Sequence, residues 1–124
     1  MIAVDTSTLV SFLAGDRGRD VGVLDAALVH NQLCLPPVVV TELLSAPEAK
    51  ADLEDILANL PVLTIDDGYW HRAGRMRASL LGRGHKARLA DTLICQSCLD
   101  HGVALLSRAA DFRHFSKYCG LQLA

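Results

Sequence analysis

The stretch MIAVDTSTLVSFL, residues 1–13, carries an apolar strand directly into an acid and a row of hydroxyls. Ile2, Ala3 and Val4 begin a strand that is read as Ile2 to Asp5, and Thr6 and Ser7 follow at once. A short helix is expected from about Thr8 to Ala14. In an open α/β sheet, ligands bind in the crevice outside the carboxyl ends of the strands. An acid at the end of the first strand therefore stands where chemistry takes place.

Working outward, Gly15-Asp16-Arg17-Gly18 reads as a turn, and a helix from about Asp20 to His30 presents Val21, Leu24 and Leu28 on one face. Leu33 to Pro36 is a second strand, and Pro37 suits the first turn of a helix that carries Val39, Glu42, Leu43 and Ala46. Pro47 ends that helix or begins the next, in which Ala49, Leu53, Ile56, Leu57 and Leu60 make a 3.6-residue stripe. Val62 to Ile65 is a third strand, and Asp66 or Asp67 is placed to cap a helix buried through Tyr69, Ala73, Met76 and Leu80. After the Gly82-Arg83-Gly84 loop come a helix from Ala87 to His101, Gly102 as its C-terminal cap, and a fourth strand from Val103 to Ser107. Phe112 to Tyr118 is a short helix or turn, and Leu121 to Leu123 a fifth, edge strand. Strands alternating with helices predict a single α/β domain over residues 1–124, with a central, mostly parallel five-stranded sheet covered on both faces.

A chain of 124 residues that is 51% hydrophobic can bury one core and is not disordered. The net charge of −2 does not mark a general nucleic-acid binder, but its distribution is uneven. Arg72, Arg75, Arg77, Arg83, Lys86 and Arg88, six of the 12 Lys and Arg, occupy one stretch free of Asp and Glu. Such a stretch is either a solvated helix face or a patch that attracts a polyanion. Cys34, Cys95, Cys98 and Cys119 read as reduced, buried small hydrophobes; Cys95 and Cys98 lie at i and i+3 of a helix with no second ligand pair. With no signal peptide and no membrane-length apolar run, the expected compartment is the cytoplasm.

Four acids stand out: Asp5 after the first strand, Glu42 after the run Val38-Val39-Val40, Asp91 on the apolar face of its helix, and Asp111 beyond the fourth strand. Singly, each has an ordinary role open to it. Asp5 could cap a helix, Glu42 could face solvent, Asp91 could meet a helix dipole and Asp111 could serve a turn. Together at one sheet edge they would repel one another unless a hard cation such as Mg²⁺ or Mn²⁺ held them. A phosphatase or phospho-acceptor that uses Asp5 as nucleophile fits less well, because Ser7 stands where a second acid is wanted.

The segments MIAVDTSTLVSFL (1–13), LPPVVVTELLSA (35–46) and GHKARLADTLICQSCLDHGVALLSRAADFRHF (84–115) resemble, in order, the PIN-domain nucleases, and in particular the VapC-type toxins of type II toxin–antitoxin systems. The resemblance spans essentially the whole chain. It implies a PIN-like fold and a metal-dependent endoribonuclease that hydrolyses single-stranded or looped RNA, often tRNA, leaving a 5′-phosphate and a 3′-hydroxyl. It implies that Asp5, Glu42 and Asp91 hold Mg²⁺ or Mn²⁺ directly or through water, with Asp111 as fourth acid, and that Ser7 and Ser107 orient the site. It also implies a small VapB-like antitoxin as partner and a homodimer. Arg72, Arg75, Arg83, Lys86 and Arg88 are the expected RNA contacts, whereas His71, His85 and His114 are expected at the surface, with a contact to phosphate as the lesser alternative for His85. One position departs from the family pattern of Ser/Thr-Arg-Asp after the fourth strand: the acid slot holds Ala109. That departure sustains an alternative, a weak or inactive PIN-fold module that binds RNA or antitoxin without turnover.

Overall fold

A computed structural model describes residues 1–47 and 51–124, with the backbone alone at 51. Strand β1 is Ile2–Val4, β2 is Leu33–Cys34 and β3 is Ala104–Leu106. They form a parallel sheet in the order β2-β1-β3, with Ala3 opposite Cys34 on one side and Leu105 on the other. Successive strand residues point to opposite faces, and Ala3 and Val4 are both fully buried. Both faces of the sheet are therefore covered, as the strand–helix alternation predicts.

The five-stranded expectation is corrected to three strands. Val62 and Leu123 each meet the sheet as a single parallel bridge, to Leu35 and Leu105. The Val62 segment cannot extend into a ladder, since Pro61 offers its carbonyl to Leu35 but has no N–H to give. Val62, Ile65 and Leu123 are all exposed, so no burial rewards longer pairing.

Seven α-helices stand among the described residues: α1 (Thr6–Leu13), α2 (Arg19–Val29), α3 (Pro37–Leu44), α4 (Ala51–Asn59), α5 (Tyr69–Gly82), α6 (Leu89–His101) and α7 (Arg113–Cys119). Helix α1 starts at Thr6, two residues before the expected start, because the Asp5 carboxylate accepts from the Thr8 backbone N–H and caps it. Helix α3 opens on Pro37 in the first turn, where the missing N–H costs nothing. The stripe expected in α4 includes Ala49, which lies outside the described residues, while Leu53 is buried. Neither Asp66 nor Asp67 caps α5. Gly68 does so in the left-handed conformation (φ +83°), which a residue with a Cβ adopts only with strain. Asp66 instead receives the Thr64 hydroxyl, and Asp67 offers its carbonyl to Arg72.

Helix α6 is buried almost all round, through Thr92, Ile94, Cys95, Gln96, Ser97 and Cys98. It begins at Leu89, two residues later than expected, and ends on left-handed Gly102. Tyr69 of α5 donates its hydroxyl to the Leu93 carbonyl at 2.8 Å. Burial pushes the Cys95 thiol up and the Cys98 thiol up to about 12, so both stay protonated and pack as apolar groups. The core closes around Leu9, Leu24, Leu35, Val39, Leu105, Phe112 and Phe115; each buried Leu contributes about 1.5–3 kcal/mol. Among the described residues no helix is long and apolar enough to cross a membrane.

Candidate functional site: an acidic pocket at the sheet edge

The carboxyl ends of β1 and β3 lie side by side, since the Asp5 backbone N–H continues the ladder to the Leu106 carbonyl at 3.1 Å. This brings Asp5 and Ser107 together. Asp5 is buried, and its oxygens are surrounded: Oδ1 accepts from Ser7 Oγ at 2.9 Å and from the Thr8 N–H at 3.1 Å, and Oδ2 from Ser107 Oγ at 2.6 Å. The Ser7 hydroxyl is also 2.9 Å from Oδ2, so its one proton is shared between both oxygens. Ser7, expected to orient the site, and Asp5, expected either to cap a helix or to serve the site, lie in one hydrogen-bond network, in which Asp5 caps α1. Ser107 in turn receives the Ala109 N–H at 3.0 Å, which fixes the loop after β3.

Glu42, half-buried on α3, accepts from the Thr6 hydroxyl at 2.7 Å. Asp91 lies in the first turn of α6 and Asp111 in a short 3₁₀ turn, Ala110–Phe112. Asp91 and Asp111 line one cavity of about 330 Å³ with Lys86, Arg88, Arg113 and His114. Burial, then the charges of Asp111 and Glu42, raise the Asp91 carboxyl to about 6; Arg88 opposes the shift and Asp5 adds to it. The four acids therefore share one field.

Among the described residues no three His, Cys, Asp or Glu side chains converge tightly enough to ligate a single ion as they stand. A field acts over a longer range than a coordination bond, so the two observations are compatible. All four candidates are hard oxygen donors of the kind Mg²⁺ and Mn²⁺ select. The donor set fits such an ion, bound directly or through water, with Asp5 the most rigid arm.

The basic candidates separate. Lys86 and Arg88 line the acidic cavity. Arg83 lies over the Tyr118 ring, 5.3 Å from its centre, at the base of the same loop. Arg75 lies with Trp70 along an open depression on α5. Arg72 forms a two-pronged pair with Asp100, at 3.0 and 2.6 Å, and holds the Asp67 carbonyl. Asp100 is nine residues beyond Asp91 on α6, about 13 Å along the helix axis, so Arg72 is engaged away from the acids.

Several residues at the site had escaped the sequence reading. Thr6 holds Glu42. Arg113 and His114 line the cavity, and His114 stacks on His85 rather than standing free at the surface. Arg108 forms a two-pronged pair with Asp20 of α2, at 2.8 and 3.0 Å, tying the Ser107–Asp111 loop to the body. That guanidinium, ahead of the Thr8 hydroxyl, holds the Asp20 carboxyl at about 2. Thr6 and Arg108 each adjoin a recognised site residue, which is the signal that could have found them.

Sequence comparison with curated proteins gives no match. Solved structures share the fold across essentially the full chain. VapBC2 from Rickettsia felis, bound to a DNA fragment from its promoter, superposes with TM-score 0.77 at 17% identity, covering 100% of this chain and 98% of that one. VapBC-1 from nontypeable Haemophilus influenzae gives 0.76 at 18%, covering 100% and 97%. VapBC-5 from Mycobacterium tuberculosis, a member of the VapBC family of toxin–antitoxin systems, gives 0.69 at 21%, covering 98% and 94%. At such identities the likeness establishes architecture alone. The family model described as PIN domain matches residues 2–118, which takes in all four acids and the serines that hold Asp5, and the chain accordingly belongs to the PIN domain family.

Proposed function

We propose that this protein is a metal-dependent endoribonuclease toxin, acting in the cytoplasm on single-stranded or looped RNA, tRNA included, and neutralised by a VapB-like antitoxin. The observation that carries the reading is the cavity shared by Asp91 and Asp111, where burial, then the charges of Asp111, Glu42 and Asp5, push the Asp91 carboxyl up. A pocket that concentrates negative charge in this way gains stability by taking up a cation. The membership in a family of nucleases and the fold shared with VapBC proteins support the toxin reading.

Asp5, Glu42, Asp91 and Asp111 would hold Mg²⁺ or Mn²⁺. Such an ion, when bound, supplies charge neutralisation at the scissile phosphate and a more acidic water. The remaining work falls to the chain. Ser7, the Thr8 N–H and Ser107 hold Asp5 in one orientation, and Thr6 does the same for Glu42. Lys86 and Arg88 draw the RNA backbone to the acids. A carboxylate accepts the proton of the attacking water, the water oxygen bonds to phosphorus in line as the P–O3′ bond breaks, and the 3′-oxygen leaves and takes up a proton from solvent.

The test is incubation of antitoxin-free, folded protein with labelled cellular RNA in Mg²⁺ or Mn²⁺ and in EDTA, beside Asp91→Asn. Metal-dependent cutting that Asp91→Asn abolishes is the expected result. RNA left intact by wild-type protein in both metals would overturn the nuclease reading and leave a binding module.

A further inference from the structure

The cavity that holds Asp91 and Asp111 also has a cationic wall. Lys86, Arg88 and Arg113 line it, and among the described residues none of the three has an ion-pair partner. The half-buried His114 lines the same cavity. Its ring is not loose. His114 and Tyr118 lie one turn apart on α7, and the His85 ring stacks on both, at 4.7 and 4.5 Å between centres and 26° between planes. Arg83 and Lys117 each lie 5.3 Å from the centre of the Tyr118 ring. A stack of this kind uses up ring faces that could otherwise take a nucleobase. The ring nitrogens of His114 have no hydrogen-bond partner among the described residues, and the stack holds the residue at the cavity beside three unpaired cations.

We propose that this wall is a phosphate subsite for the nucleotide next to the scissile bond. His114 donates an imidazole N–H to a non-bridging phosphate oxygen, and His85 and Tyr118 are positioning residues that hold its ring. The subsite rests on the nuclease reading in naming RNA as the occupant and in setting it beside a scissile bond; the phosphate contact itself does not. It reads backbone, not base, so it orients the chain across the acids without choosing sequence.

The experiment measures binding of a fluorescently labelled single-stranded RNA oligonucleotide by anisotropy, in the Asp91→Asn background so that nothing is cut. His114→Phe keeps a ring in the stack but loses the donor, and is expected to weaken binding roughly tenfold, as a charge-assisted hydrogen bond would. His85→Phe keeps the stack and should bind as the parent, while His85→Ala should lose about threefold, in line with partial disorder of the His114 ring. His71→Ala, remote and exposed, is the control and should bind as the parent. With Asp91 intact, His114→Phe should raise KM with kcat little changed. Thermal melting of each variant separates these losses from unfolding.

Parent-like binding by His114→Phe would overturn the subsite, and parent-like binding by His85→Ala would overturn the supporting role of the stack. If wild-type protein cuts RNA while His114→Phe binds and cuts normally, the subsite fails and the nuclease reading stands. If wild-type protein cuts nothing but His114→Phe still loses RNA, the nuclease reading fails and the subsite stands.

Discussion

Ser107 Oγ donates to Asp5 Oδ2 at 2.6 Å across 102 residues of chain, the shortest of the contacts that hold this carboxylate. Ser107→Ala leaves Asp5 with Ser7 and the Thr8 N–H, so the fold survives at a cost of about 1 kcal/mol. Its aim at the proposed cation site loosens. The Mg²⁺ concentration for half-maximal RNA cleavage should rise roughly tenfold, the usual effect of losing an outer-shell partner. A titration of cleavage against Mg²⁺ checks it, with urea unfolding as the control for stability.

Asp91 gives the pH dependence. Its carboxyl, ordinarily near 3.8, stands at about 6 in the fold. Between those values the native chain binds more protons than the unfolded one, so this group's contribution falls as pH rises from about 4 to about 6 and stays low above. Asp91→Asn removes the effect. The variant should melt higher than the metal-free wild type at pH 7.5, with the gap narrowing toward pH 4. Saturating Mg²⁺ should raise the wild-type Tm at pH 7.5 and leave the variant nearly unmoved. Equal Tm differences at both pH values would refute the argument.

Arg108 and Asp20 contribute with the opposite sign. Asp20 is held at about 2, so its contribution is present above about 3.8 and is lost as pH falls through 2. Arg108 is about one-third exposed, which keeps the pair's worth near 1 kcal/mol. Arg108→Ala should lose that much in urea unfolding at pH 7 and progressively less toward pH 2. It should also slow cleavage, since the loop carrying Ser107 and Asp111 is released from α2.

Ala109→Asp places an acid in the slot where the family pattern has one. Ala109 is half-buried, packs against the core and has an extended backbone that Asp can adopt. An added carboxylate beside four others is costly without a counter-ion. The variant should melt lower than wild type in EDTA, bind Mn²⁺ more tightly by calorimetry, and recover its Tm in Mn²⁺.

Much of this was legible in the sequence because it depends on residue type at strand ends. Ile2 to Val4 running into Asp5, and Val103 to Ser107 with its serine, identify two adjacent parallel strands and the edge where they finish. The outer strands were not legible: Val62 and Leu123 have the right composition, but no local signal says that nothing covers them. The cap of α5 misled for a related reason. Asp66 and Asp67 have good capping chemistry, yet the positive φ of Gly68 turns the chain past them. The acids, Lys86 and Arg88 could be listed from sequence, whereas Arg113 and His114 could not. These two share a cavity with Asp91 only through tertiary packing, which no local pattern encodes.

The central place of β1 has a consequence for how the protein comes into being. Its first strand waits for its last: Asp5 leaves the ribosome 102 residues ahead of the serine that anchors it. At 5–20 residues per second that interval is on the order of 5–20 s. Throughout it the nascent chain carries its acids unassembled, so a polypeptide being translated from an RNA template has no finished pocket to turn against that template.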